Sequence, residues 1–140
     1  MQIRPFHDKD LKSVTALEKM IFPNPKPEQV FVDDGHKYFV LEENNEVIGY
    51  AGYEKIVDEG HLINMAVAEA CRGKGCGKAL IEKILEKAKE DKIKRLILEV
   101  RISNHPAISL YEKMGFEVIA KRKNYYENNN EDALVMARQF

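Results

Sequence analysis

Cysteine is scarce: only Cys71 and Cys76 occur in 140 residues, and no second Cys/His pair stands at zinc-finger spacing. That excludes a disulfide framework and a structural zinc site, no metal being expected, and reads the thiols as small buried or half-buried groups in a reducing compartment. Long apolar runs are missing, and nothing approaches the roughly 20 residues that a membrane-spanning helix needs. The opening MQIRPFHDKD lacks the apolar stretch of a secretory leader. Charge of one sign is missing as well, with 22 basic against 23 acidic side chains, so broad electrostatic capture of nucleic acid or of an anionic membrane is not expected. No internal repeat, low-complexity tract or linker interrupts the chain. The expectation is one domain over residues 1–140, acting in the cytoplasm without nucleic-acid or membrane partners, as a monomer or weak homodimer.

What is present is an ordinary soluble composition, 44% apolar and 32% charged, in a chain long enough to bury a core. Residues 2–5 suit a short strand. Asp8 can cap a helix to about Ile21, with Leu11, Val14, Leu17, Met20 and Ile21 at helical spacing. Pro23, Pro25 and Pro27 then impose a stiff loop, and Pro27 can open a short helix through Val32. Residues 38–42 and 47–57 flank the turn pair Asn44-Asn45 and predict a hairpin. Residues 62–68 read as a strand buried on both faces. A helix with the stripe Leu80, Ile81, Ile84, Leu85 and Ala88 follows, then a strand at 96–100. A helix at 106–114 ended by Gly115, and strands at 116–120 and 133–137, complete a mixed α/β pattern with a right-handed strand–helix–strand crossover.

The segment Arg72-Gly73-Lys74-Gly75-Cys76-Gly77-Lys78 sits between a strand and a helix. Glycines allow a tight turn in which successive N–H groups face one anion, and the helix start adds unsatisfied N–H groups and positive dipole. Arg72, Lys74 and Lys78 add charge, so the loop suits a phosphate or pyrophosphate. A dinucleotide fingerprint begun at Gly73 fails at Lys78, and a P-loop ending at Gly77-Lys78 fails at Arg72 and Ala79. The pattern that fits is Arg-x-x-Gly-x-Gly at Arg72, Gly75 and Gly77.

That spacing resembles the coenzyme-A loop of the GNAT acetyltransferase superfamily, whose backbone amides wrap the pyrophosphate of acetyl-CoA. The run Leu98-Glu-Val-Arg-Ile-Ser-Asn104, then Pro106 to Phe116, looks like the strand–helix element that follows this loop in the RimI-type and archaeal N-terminal acetyltransferases. The tail from Lys123 to Glu127, with Glu131-Asp-Ala133 and Met136, resembles the same subgroup's substrate hairpin. Phe22-Pro23 resembles its first substrate loop, although the tryptophan common after that loop in the bacterial branch is absent. The resemblance implies the GNAT fold: a central, mostly antiparallel seven-stranded sheet, about four helices, and a splay between the two middle strands.

The resemblance also implies roles. An amine must lose a proton before it attacks a thioester, so a base is required. Glu99 stands in an otherwise apolar strand, where a carboxylate needs a partner or a task and where burial is expected to raise its pKa. The family's general base falls on Glu99, with an exposed carboxylate or a structural salt bridge as the alternative. His61 is a co-base by likeness to archaeal relatives, or a surface histidine. Tyr111 falls on the family's acid for the departing thiolate, or else packs against Phe116. Asn104 is a helix N-cap or a contact to the pantetheine arm. Residues Met65, Ala66 and Val67 supply the backbone N–H that holds the thioester oxygen, and residues 72–78 hold the diphosphate. Tyr125 and Tyr126 contact the substrate backbone; neighbours on a strand face opposite ways, so both cannot fill one core. Residues 121–123, Lys-Arg-Lys, either favour acidic substrates or form a solvated face. No cysteine nucleophile is needed.

Three functions follow. The first is transfer from acetyl-CoA to the N-terminal α-amine of a protein or peptide, with a ribosomal protein among the candidates, in a ternary complex. The second is acetylation of a small amine such as a polyamine or amino sugar; the third is a non-catalytic acyl-CoA-binding module.

Overall fold

The computed structural model describes residues 1–126 and 128–140; Glu127 of the tail motif lies outside them. In chain order the elements are β1 (Gln2–Pro5), α1 (Leu11–Ile21), α2 (Gln29–Val32), β2 (His36–Glu43), β3 (Glu46–Ile56) and β4 (Glu59–Val67). Then come α3 (Cys76–Glu90), β5 (Arg95–Arg101), α4 (His105–Lys113), β6 (Glu117–Tyr126) and β7 (Glu131–Gln139). The strands form one seven-stranded sheet in the order β1-β2-β3-β4-β5-β7-β6. Neighbours are antiparallel except β4 and β5, which run parallel and are joined by α3. This is the expected crossover: parallel strands need a long connection, and the α3 stripe covers the sheet between them.

The sheet is packed on both faces. On one, Leu80, Ile81 and Ile84 of α3 meet Leu41, Ala51, Leu96 and Leu98, and Tyr111 and Phe116 extend that core. On the other, Val14 and Leu17 of α1 and Phe31 of α2 meet Tyr38, Val40 and Tyr50. The β2–β3 turn places Asn44 and Asn45 at φ 52 and 64, the doubly left-handed geometry that asparagine tolerates and that suits strand twist. Gly115 ends the α4 segment at φ 92.

Two local expectations are corrected. The first helix starts later than Asp8: residues 8–10 make a single 3-10 turn before α1. Asp10 is the anchor, because it is buried, accepts from the His7 N–H at 2.9 Å, and takes two hydrogen bonds from Arg4 at 2.8 and 2.9 Å. Residues 62–68 are not buried on both faces; Ile63, Asn64, Met65 and Val67 are only half-buried. The reason lies in the pairing of β4 with β5. Glu59, Gly60 and His61 stand beside Arg95, Leu96 and Ile97, and there the ladder stops. Beyond His61 the two strands diverge and a cleft opens.

Candidate active site

The cleft has a volume of about 530 Å³. One wall is β4 from Leu62 to Met65, the other is β5 from Glu99 to Arg101 with Asn104 and Tyr111, and its rim carries Phe22, Pro23, Tyr125 and Tyr126. Among the described residues, the β5-facing backbone edge of residues 62–67 has no ladder partner, since their pairing runs to β3. An extended ligand arm can therefore hydrogen-bond to this edge as a strand would.

Glu99 lies opposite Val135 in the β5–β7 register, on the face where Ile97, Val135 and Ala137 pack together. Its carboxylate is half-buried and reaches the cleft from that side. Tyr111 arrives from the opposite face, in the main core, with its ring tilted on Phe116 at 5.6 Å between centroids. Packing and cleft contact are thus both true of Tyr111. Burial, and then the neighbouring Tyr126, push its hydroxyl up to about 12, so it holds its proton throughout the physiological range. His61 shares the Glu99 face, beside Ile97, yet it is not among the residues lining the cleft; its Nε2 is 3.9 Å from Glu59 Oε1. Asn104 is the helix cap, its Oδ1 accepting from the Ala107 N–H at 3.3 Å, and it also lines the cleft.

At the far end of β4 the chain turns through residues 68–75 into α3. Gly73 and Gly75 have φ 76 and 81, and Gly75 is the N-cap of α3. Alternating left-handed residues aim successive N–H groups at one point. The first N–H of the helix with a partner is Ala79, which donates to the Gly75 carbonyl at 3.0 Å. Cys76, Gly77 and Lys78 precede it, so their N–H groups have no helical acceptor and can face an anion. A Cβ on Gly77 would meet Leu110 Cδ2 at 3.4 Å and Met65 Cε at 4.0 Å, which places this helix start against the β4 wall of the cleft. Lys78 is exposed, whereas Arg72 Nε donates to the Val67 carbonyl at 3.2 Å and ties the loop to β4. Cys76 contributes only its backbone: the side chain is buried in the core, its Sγ 3.7 Å from Met1 Sδ, and burial pushes the thiol up. These features fit a diphosphate at residues 73–78 with its arm running along residues 65–67.

The profile of the acetyltransferase (GNAT) family matches residues 6–116. The chain belongs to the GNAT acetyltransferase family. It is 35% identical over 133 residues to the ribosomal protein bS18 alanine N-acetyltransferase of Escherichia coli K12, covering 91% of this chain and 90% of that protein. It is 34% identical over 146 residues to the N-alpha-acetyltransferase of Saccharolobus solfataricus, covering 92% and 87%. The crystal structure of the Escherichia coli ribosomal-protein-S18-alanine N-acetyltransferase superposes with a TM-score of 0.90 at 31% identity, covering 99% of this chain and 92% of that one. The seven-stranded sheet and the splay are those of the GNAT fold.

In this GNAT protein the tyrosine pair departs from simple strand alternation. Asn124 sits at φ 53, and the β6–β7 register shifts between Arg122 and Tyr126. That bulge turns both rings to the cleft rim, in edge contact with centroids 5.0 Å apart. The Arg101 guanidinium lies 3.9 Å over the Tyr126 ring and hydrogen-bonds to Asn128, Asn129 and Glu131. Burial pushes Tyr126 up to about 12 even with that cation above it, and Glu99 is among the charges that act in the same direction. Residues 121–123 lie on the exposed strand β6, where Lys121 pairs with Asp132 at 3.3 Å.

Sequence reasoning missed Glu18, Asn64, Lys26 and Arg101, all of which line the cleft. Glu18 was detectable, since it follows Val14 and Leu17 on the apolar stripe of α1, where a carboxylate has no reason to be unless it is bound. Arg101 had no such signal; its partners come from the β6–β7 hairpin, far along the chain.

Proposed function

We propose that this GNAT enzyme acetylates the N-terminal α-amine of a protein or peptide in a ternary complex. The observation that carries the reading is the shared cleft: Glu99 and Tyr111 enter it from the two sheet faces, between Phe22-Pro23 on one rim and Tyr125-Tyr126 on the other. Acetyl-CoA, when bound, supplies the activated acetyl group, with residues 73–78 on its diphosphate and the edge of Met65–Val67 on its arm. Glu99 removes a proton from the incoming ammonium, directly or through water, with His61 on the same sheet face as the candidate second base. Tyr111 keeps its proton and delivers it to the departing sulfur. A free N–H of residues 65–67 holds the developing oxyanion.

The two rims favour a chain over a small amine, because they line the cleft with the rings of Phe22, Tyr125 and Tyr126 and with Pro23. The relatives' substrates point the same way, and a ribosomal protein beginning with alanine is the first candidate. Such a substrate puts the enzyme in the cytoplasm. Mass spectrometry of products separates the readings. Peptides with free N-termini should gain one acetyl on the α-amine, while N-terminally blocked peptides carrying lysine, polyamines and amino sugars should gain little. Modification of small amines alone would refute the peptide reading, and acyl-CoA binding without any transfer would leave a binding module.

A further inference from the structure

Glu18 is 2% exposed, and its two oxygens are taken up by three parts of the molecule. Oε1 accepts from the Tyr50 hydroxyl of β3 and from Asn64 Nδ2 of β4 at 2.9 Å; Oε2 accepts from the Lys26 N–H at 2.9 Å. Tyr38 completes the network by donating to Asn64 Oδ1 at 2.6 Å. Two of these contacts lead to the cleft. Asn64 pairs with Gly52 and borders the bulge where Ile63 is the extra residue of β4, between the pairs Gly52–Asn64 and Tyr53–Leu62; it stands immediately before Met65. Lys26 lies in the proline loop between α1 and α2, whose first residues, Phe22 and Pro23, form the first rim. A buried carboxylate is costly without donors, and here its donors are the strand bulge and the loop.

We infer that Glu18 is a positioning residue for the acceptor peptide, holding the Phe22–Lys26 loop in register with the β4 wall through the Lys26 N–H and Asn64. The inference rests on the N-terminal acetyltransferase reading. Its content is directional: loss of the tie releases the peptide rim while leaving the coenzyme end of the cleft, at α3, in place. A glutamine at position 18 offers one acceptor oxygen and one amide group, so it cannot accept from both the Lys26 side and the Tyr50–Asn64 side.

The test is calorimetry with an N-terminally free peptide beginning with alanine, in the presence of coenzyme A, alongside acetyl-CoA titration and thermal melting. Glu18→Gln should raise the peptide Kd about tenfold, the effect of losing one charge-assisted hydrogen bond, with acetyl-CoA affinity within about twofold. A second comparison avoids the buried site. Lys26 precedes Pro27, which disfavours a helical backbone at position 26 and favours the extended region that proline also adopts. Lys26→Pro deletes the N–H and the side chain; Lys26→Ala deletes the side chain alone. The proline variant should bind peptide about tenfold more weakly than the alanine variant. Equal peptide affinity in those two variants overturns the inference, and so does a Glu18→Gln protein in which peptide and acetyl-CoA weaken in parallel or peptide affinity is unchanged. Should Glu18→Gln not fold, the Lys26 pair decides alone. A wild-type protein that binds acetyl-CoA but no peptide overturns the N-terminal acetyltransferase reading itself, which is a different result.

Discussion

Glu99 and Tyr111 project from opposite faces of the central sheet and meet in one cleft. Glu99 faces Val135 across the β5–β7 ladder, on the side of Ile97 and Ala137, whereas Tyr111 packs in the core that contains Leu98 and Val100. Ordinarily a sheet would separate two such groups. They share a space because β4 leaves β5 after the His61–Ile97 pair.

Replacing Glu99 by glutamine keeps the shape and removes the carboxylate proposed as the base. Turnover should fall about 10²–10⁴-fold with little change in peptide or acetyl-CoA affinity. A loss below about tenfold in single-turnover kinetics would transfer the duty to His61 or to water.

Tyr111→Phe should slow transfer while acetyl-CoA affinity, read by calorimetry, stays near the wild-type value. Because the tyrosine keeps its proton up to about 12, the wild-type rate should show no alkaline decline from this group in the neutral range. Equal losses in rate and affinity would reduce Tyr111 to a packing role against Phe116.

Gly75→Ala isolates backbone conformation from sterics. A Cβ there meets nothing within 4 Å, but φ 81 is strained for alanine, at about 1–2 kcal/mol. The helix cap should shift and acetyl-CoA affinity should drop roughly tenfold. Gly35→Ala, also with open space but without positive φ, should leave it unchanged.

The hairpin gives a pH signature. Hydrogen bonding to Ser103 holds the Glu131 carboxyl at about 2, below its ordinary 4.5, with Asn129 and Arg101 adding to the effect. A lowered pKa means that this contribution to stability is present above pH 4.5 and lost as pH falls through about 2. Melting curves of wild type and Glu131→Gln should therefore differ at neutral pH and converge over that acid interval. Curves that stay parallel would remove Glu131 from the account.

Tyr50→Phe leaves the buried Glu18 carboxylate short of one donor. Urea unfolding should show a loss of about 1–3 kcal/mol with an unchanged slope.

The legible parts of this chain were the local ones. Helical periodicity at Leu80, Ile81 and Ile84, the Asn44-Asn45 turn and the tight turn at Gly73 and Gly75 each have a cause within a few residues, and each stands as expected. Glu99 announced itself as a charge inside an apolar strand. The less legible features have distant causes. Residues 62–68 look doubly buried because their apolar spelling cannot register that β5 diverges from this strand. Tyr125 and Tyr126 stand at the cleft as the resemblance implies, but how two neighbours on a strand both reach it is not legible locally, since it depends on the bulge at Asn124 and the pairing with β7. Glu18 depends on donors from three separate stretches of chain.

The short β4–β5 seam also bears on stability. Among the described residues, the two halves of one sheet, β1 to β4 and β5 to β7, are paired along residues 59–61 and 95–97, with the Lys94 N–H donating to the Asp58 carbonyl at 2.7 Å beside them and α3 as the covering strap. A thioester arm lying along residues 62–67 would act as a surrogate strand, extending the ladder that the protein leaves unfinished. Substrate occupancy and resistance to unfolding are then coupled by mass action, and the melting temperature should climb with the logarithm of acetyl-CoA concentration once the site is saturated.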